Sequence, residues 1–172
     1  MSCNYEKLSY TPDKEVIKGI INNWSKLSRG EQLDENDFDL FIRFISLWVT
    51  FNAIYELSCS SVRGDREKVK KFSAIDKAKN VHIKSMHTEK YKEAVKVLAE
   101  KGILKLPKNN SRQKITDINN LEEVMLCVYQ VRCNLFHGGK TPENPRDVEV
   151  VEAAYTIVSY LIDPFIKKIN EV

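Results

Sequence analysis

Arg132 and His137 are the pair of side chains whose types and spacing can do chemistry in this sequence. Arginine stays charged at any physiological pH and presents a planar fork of donors that matches a phosphate. Histidine titrates near neutrality and can carry a proton. Five positions apart on a helix, the two are separated by about 7.5 Å of rise. Gly138 and Gly139 directly after the histidine can unwind the last turn and bring the two heads together. Such a pair can cleave RNA without a metal: the imidazole takes the proton of a 2′-hydroxyl, and the guanidinium stabilises the charged phosphorane. The spacing also has a structural explanation. A histidine at a helix C-terminus complements the dipole and caps carbonyls, and Arg132 can pair with Glu122, Glu123 or Glu149.

Little else in the sequence competes for chemistry. H-E-x-x-H, a P-loop, G-x-G-x-x-G and G-x-S-x-G do not occur. The four cysteines (Cys3, Cys59, Cys127, Cys133) form no C-x-x-C pair and read as free thiols. No metal site and no cofactor are expected. His82 and His87 fall in a polar, basic stretch and read as solvated surface residues. Asn52 lies on an otherwise apolar helix face, where a buried amide needs partners; it supports Arg132 or His137, or bonds a neighbouring backbone. Asn134 is a second supporting candidate. Tyr129 and Phe136 can stack on a base, although aromatic residues at this spacing are usually core.

These residues must be positioned by helices. Apolar spacing is helical nearly throughout, with no hairpin dipeptide. A first helix is expected over about 13–27, with Val16, Ile17, Ile20, Ile21, Trp24 and Leu27 on one stripe. A second and most apolar helix, from about Asp34 to Leu57, carries Phe41, Phe44, Ile45, Trp48, Phe51, Asn52 and Tyr55 on one broad face. Weaker basic helices follow over about 67–83, with a break, and 88–100, stopped by Gly102. Residues 101–114 read as an exposed basic loop. A helix begins at Asn119 or Asn120 and ends at His137-Gly138-Gly139. Asn144-Pro145 opens the last helix, which Pro164 kinks or ends.

The chain has 172 residues, 42% hydrophobic and 30% charged, enough for one domain with a single core. Residues 62–114 read as a basic insertion within that domain. Net charge is +3, but its distribution is uneven: residues 61–114 hold 16 basic and 6 acidic side chains, between two acidic ends. A basic middle suits an anionic partner such as RNA, with Lys105, Lys108, Arg112, Lys114 and Lys140 as candidate substrate-binding residues. Residues 1–10 hold no apolar leader core, and the uncharged stretch Phe44–Tyr55 is too short to span a bilayer. A cytoplasmic protein is expected.

The segment VYQVRCNLFHGGK (128–140) resembles the signature of the HEPN superfamily, an Arg and a His four to six residues apart at the junction of the last core helices of an α-bundle. WVTFNAIYE (48–56) is similar to the Trp-x-x-Phe-Asn-Ala stretch of the long second helix in such proteins. The resemblance implies an all-α, up-and-down helical bundle and metal-independent endoribonuclease activity by Arg132 and His137 at a homodimer interface. It also implies a toxin–antitoxin or defence setting, with an antitoxin or nucleotidyltransferase as partner. Active members commonly carry Asn, Asp or His directly after the Arg, where this chain has Cys133. That departure leaves open an inactive module that binds RNA, a nucleotide or a protein.

Overall fold

The computed structural model describes residues 29, 40–104, 111–136 and 144–170. The chain is all-α over these residues, with six helices and one minimal strand pair: α1 (Leu40–Ser58), α2 (Asp65–Ser73), α3 (Asp76–Ser85), α4 (Glu89–Lys101), β1 (Ile103–Leu104), β2 (Arg112–Gln113), α5 (Leu121–Phe136) and α6 (Pro145–Asn170). The helix expected over 13–27 lies outside the described residues, as do 34–39 of the second.

α1 is the aromatic spine. Trp48 meets Phe51 edge-on at 5.1 Å, Phe51 meets Tyr55 at 5.0 Å and Phe72 of α2 at 4.9 Å, and Phe72 meets Phe165 of α6 at 5.2 Å. Ser46, Thr50 and Ser58 share the buried side of α1 without loss, because each hydroxyl donates to a carbonyl four residues back. α1 is long and apolar enough to cross a membrane on length and composition, and half of that stretch is buried within the protein.

α6 is the common partner. α1, α3, α4 and α5 all pack on it, while α2 packs chiefly on α5. The segment expected as a basic insertion thus contributes three helices whose Val69, Phe72, Tyr91, Val95 and Leu98 belong to the same core as α1, α5 and α6. The break between α2 and α3 falls at Ala74 and Ile75. Gly102, at φ +53°, turns the chain out of α4. Residues 101–114 are not wholly loop: Ile103 pairs with Gln113 and Leu104 with Arg112, antiparallel. The Arg112 and Arg146 guanidiniums donate to the Lys101 carbonyl, and Arg146 also to that of Gly102, which completes the α4 C-terminus.

Both last helices start as their sequences dictate. The Asn120 side-chain oxygen accepts from the backbone of Glu122 and Glu123, and that of Asn144 from Arg146. The Glu123 carboxylate reaches back to Thr116 and Asp117 and pins the incoming loop. Pro164 does not end α6. The helix continues to Asn170 because Phe165, Ile166 and Ile169 are buried beyond it, and the Pro164 carbonyl takes a hydrogen bond from Lys77 at 3.0 Å.

Candidate functional site

α5 delivers Arg132 to the place where α1 and the start of α2 converge. Val128 and Val131 fix that side of α5 in the core, so Arg132 emerges at the edge of the buried zone with 24% of its side chain exposed. Its Nη2 stands 3.7 Å from the Asp65 carboxylate of α2. Its guanidinium carbon lies 5.9 Å from the Trp48 ring centre and 4.7 Å from that of Phe136. Phe136 is half exposed, so one face of this sandwich is open to solvent. Tyr129 closes the other side, 6.2 Å from Trp48.

Four buried polar atoms find no hydrogen-bond partner among the described residues: Trp48 Nε1, Asn52 Oδ1 and Tyr55 Oη on α1, and Nε of the arginine itself. Three of them come from one stripe of α1, spaced four and then three residues apart. Leaving such atoms unpaired costs about 1–3 kcal/mol each. Burial pushes the Tyr55 hydroxyl far above the usual tyrosine value, with Asp65 adding to the rise and Arg132 opposing it. Burial and the neighbouring Cys133 thiol push Tyr129 up to about 12. Both phenols are therefore protonated at neutral pH and able to donate.

The site residues expected from sequence separate as follows. Arg132 belongs to this cluster, and Asn52 lies on the α1 stripe between Trp48 and Tyr55 with its Oδ1 buried. Asn134 is buried, and its amide oxygen accepts from Gln130 Nε2 at 2.9 Å; two positions on from Arg132, it lies roughly 200° around the helix. Arg112 and Lys114 are exposed beside the strand pair. His137, Gly138, Gly139, Lys140, Lys105 and Lys108 lie outside the described residues. Arg132 faces Asp65 rather than Glu122, Glu123 or Glu149; Glu149 pairs with Lys101. His87 is exposed, whereas His82 is not the solvated residue expected. It is 1% exposed, with Nδ1 2.8 Å from the Tyr91 hydroxyl and Nε2 3.1 Å from the Ile118 carbonyl.

Trp48, Tyr55 and Asp65 are the site residues that the sequence reading missed. Trp48 and Tyr55 carry polar tips at positions read as core, and their spacing with Asn52 was the available signal. Asp65 had none, since its approach to Arg132 depends on how α2 packs on α5. Among the described residues, no three His, Cys, Asp or Glu side chains are grouped to hold a metal.

No family model, no curated protein and no solved structure matches the chain.

Proposed function

We propose that this protein is a metal-independent endoribonuclease of the HEPN type, acting through Arg132 and His137 in a homodimer. The observation that carries the reading is the setting of Arg132: half-buried near the end of α5, between the rings of Trp48 and Phe136, with its Nε–H unpaired among the described residues. A guanidinium fixed by two rings keeps its orientation while a phosphate approaches, so less ordering is left for the moment of binding.

The chemistry follows from the two side chains. Neutral His137 accepts the proton of a ribose 2′-hydroxyl, and that oxygen attacks the adjacent phosphorus. Arg132 stabilises the pentacoordinate dianion through paired N–H donors. The 5′-oxygen leaves with a proton from a second imidazole, which a second copy of the chain supplies, and a 2′,3′-cyclic phosphate remains. An antitoxin or nucleotidyltransferase partner and a cytoplasmic, defence-related setting belong to the same reading.

One observation favours a second reading. The Asp65 carboxylate, 3.7 Å from Arg132, competes with phosphate for the guanidinium, as an RNA-, nucleotide- or protein-binding module without turnover would tolerate. Cleavage of a mixed RNA pool in EDTA separates the two. The native chain cuts and His137→Ala and Arg132→Ala, prepared identically, do not, if the first reading holds. Binding without cutting by all three supports the second.

A further inference from the structure

The grip of Arg132 on a phosphate depends on which of its nitrogens a ligand can reach. A guanidinium holds a phosphate with two parallel N–H bonds, along its terminal edge (Nη1 and Nη2) or along the side edge that includes Nε. The side edge is closed to solvent, because Nε of Arg132 is buried. The rings of Trp48 and Phe136 stand 5.9 Å and 4.7 Å from the guanidinium carbon and crowd its faces. What remains is the terminal edge, on a side chain that keeps 24% of its surface exposed.

Asp65 stands at half of that edge. Its Oδ2 lies 3.7 Å from Nη2. That separation is longer than a hydrogen bond, so the carboxylate attracts the guanidinium without being bonded to it. Among the described residues it is the one carboxylate paired with Arg132, since Glu149 pairs with Lys101 and Glu123 holds Thr116. Asp65 is the first residue of α2 and follows Gly64, which has a φ of +82° and open space where a side chain would be. Its own side chain is 39% exposed, so the carboxylate has solvent to move into. A phosphate seated on Nη1 and Nη2 together would set its charge against this carboxylate. The two anions compete for one edge.

We infer that Asp65 is a positioning residue that masks the phosphate grip of Arg132, holding the Nη2 side in the free protein and yielding it to an RNA phosphate. The inference rests on the ribonuclease reading for the identity of the anion. RNA then binds by exchange, phosphate for carboxylate, and the ion pair given up offsets part of the attraction. For a half-exposed pair the offset is about two- to fivefold in affinity. Asp65 thereby sets how tightly the site holds RNA, through Arg132 and without touching the reacting atoms.

The test measures binding by chains that do not cut, so that its outcome is separable from that of the ribonuclease reading. A short, labelled single-stranded RNA is titrated into His137→Ala, with and without Asp65→Asn, over a range of salt and followed by fluorescence anisotropy. Asp65→Asn should tighten binding about two- to fivefold and steepen the log–log salt dependence by roughly 0.7, one single-strand phosphate contact. Two controls separate exchange from a general loss of negative charge. Glu67→Gln removes the same charge two positions along α2, where the carboxylate pairs with Lys70, and should leave affinity within the scatter of the background. With Arg132→Ala added, Asp65→Asn should give no gain. Asp65→Glu keeps the charge and should bind as the background does. A purely structural role for Asp65 predicts a lower melting temperature and no gain in affinity, which overturns the inference. So does a gain that survives Arg132→Ala, a gain matched by Glu67→Gln, or an RNA that binds none of these chains, even if the native chain cleaves RNA. The expected affinities from a chain whose native form never cuts remove the ribonuclease reading and leave the inference standing for an RNA-binding module.

Discussion

Acidifying the protein from about pH 7.5 to about pH 5.5 should weaken its fold through one buried residue, His82. A carbonyl accepts and never donates, so the 3.1 Å contact of His82 Nε2 with the Ile118 carbonyl places the ring hydrogen on Nε2. Nδ1 therefore accepts from the Tyr91 hydroxyl at 2.8 Å. Burial holds the folded-state pKa below the ordinary histidine value, against the opposing pull of the Ile118 and Asn119 backbone and Asp117. In the unfolded chain the same ring titrates at about 6.5. As pH falls through that value the unfolded state takes up a proton that the folded state refuses. Stability is thus full above about pH 6.5 and declines below it, by up to about 1.4 kcal/mol per pH unit. Over the interval named, the loss is up to about 1.4 kcal/mol, or about 3–6 °C in melting temperature for a chain of this size. The assay is urea denaturation across the interval for the native chain and for His82→Gln. Glutamine can donate to Ile118 and accept from Tyr91 without titrating, and carboxylate effects cancel in the difference. The stability advantage of native over variant should shrink as pH falls. Parallel decline of the two would refute the reasoning.

Other substitutions probe the packing and the basic surface. Phe72→Ala, which empties the space between Phe51 and Phe165, should cost about 3–5 kcal/mol in chemical denaturation. Asn120→Ala removes the cap that receives the Glu122 and Glu123 backbone; about 1 kcal/mol of stability should be lost with RNA binding unchanged. If RNA crosses the exposed Arg112 and Lys114, the double alanine variant should flatten the log–log salt dependence of binding by about 1.4, two single-strand phosphate contacts at roughly 0.7 each. An unchanged slope would exclude those side chains from the contact.

Helix ends were the most legible part of the sequence, because they depend on local chemistry. Gly102, Asn120 and Asn144-Pro145 act where their types require, through positive φ or through side-chain caps. What failed to show depended on distant partners. The buried stripe of α3 is Ala78, His82 and Ser85, while its most apolar residue, Ile83, points outward at 57% exposure. A hydropathy pattern reads that helix inside out. His82 is admitted to the interior by Tyr91 and by a carbonyl 36 positions away, which no window of sequence reveals. Pro164 is similar: its local rule says stop, and the burial of Phe165, Ile166 and Ile169 overrides it. At the candidate site, the sequence singled out Arg132 by its spacing from His137. Its ring of aromatic and unpaired neighbours came into view only when α1, α2 and α5 were brought together.

The position of α6 in the chain has a consequence for synthesis. α6 is the shared wall against which α1, α3, α4 and α5 lie, and it is the last of them to be made. Just over a hundred residues separate the first turn of α1 from that of α6, which is roughly 5–20 s of translation. For that interval α1, the most apolar helix, lacks the helix it packs on most extensively. The bundle that holds α1 and α5, the helices that carry Trp48 and Arg132, can close only after α6 emerges. On the ribonuclease reading proposed above, a nascent polypeptide of this sequence would stay inactive beside ribosomal RNA until the end of α6 had left the exit tunnel.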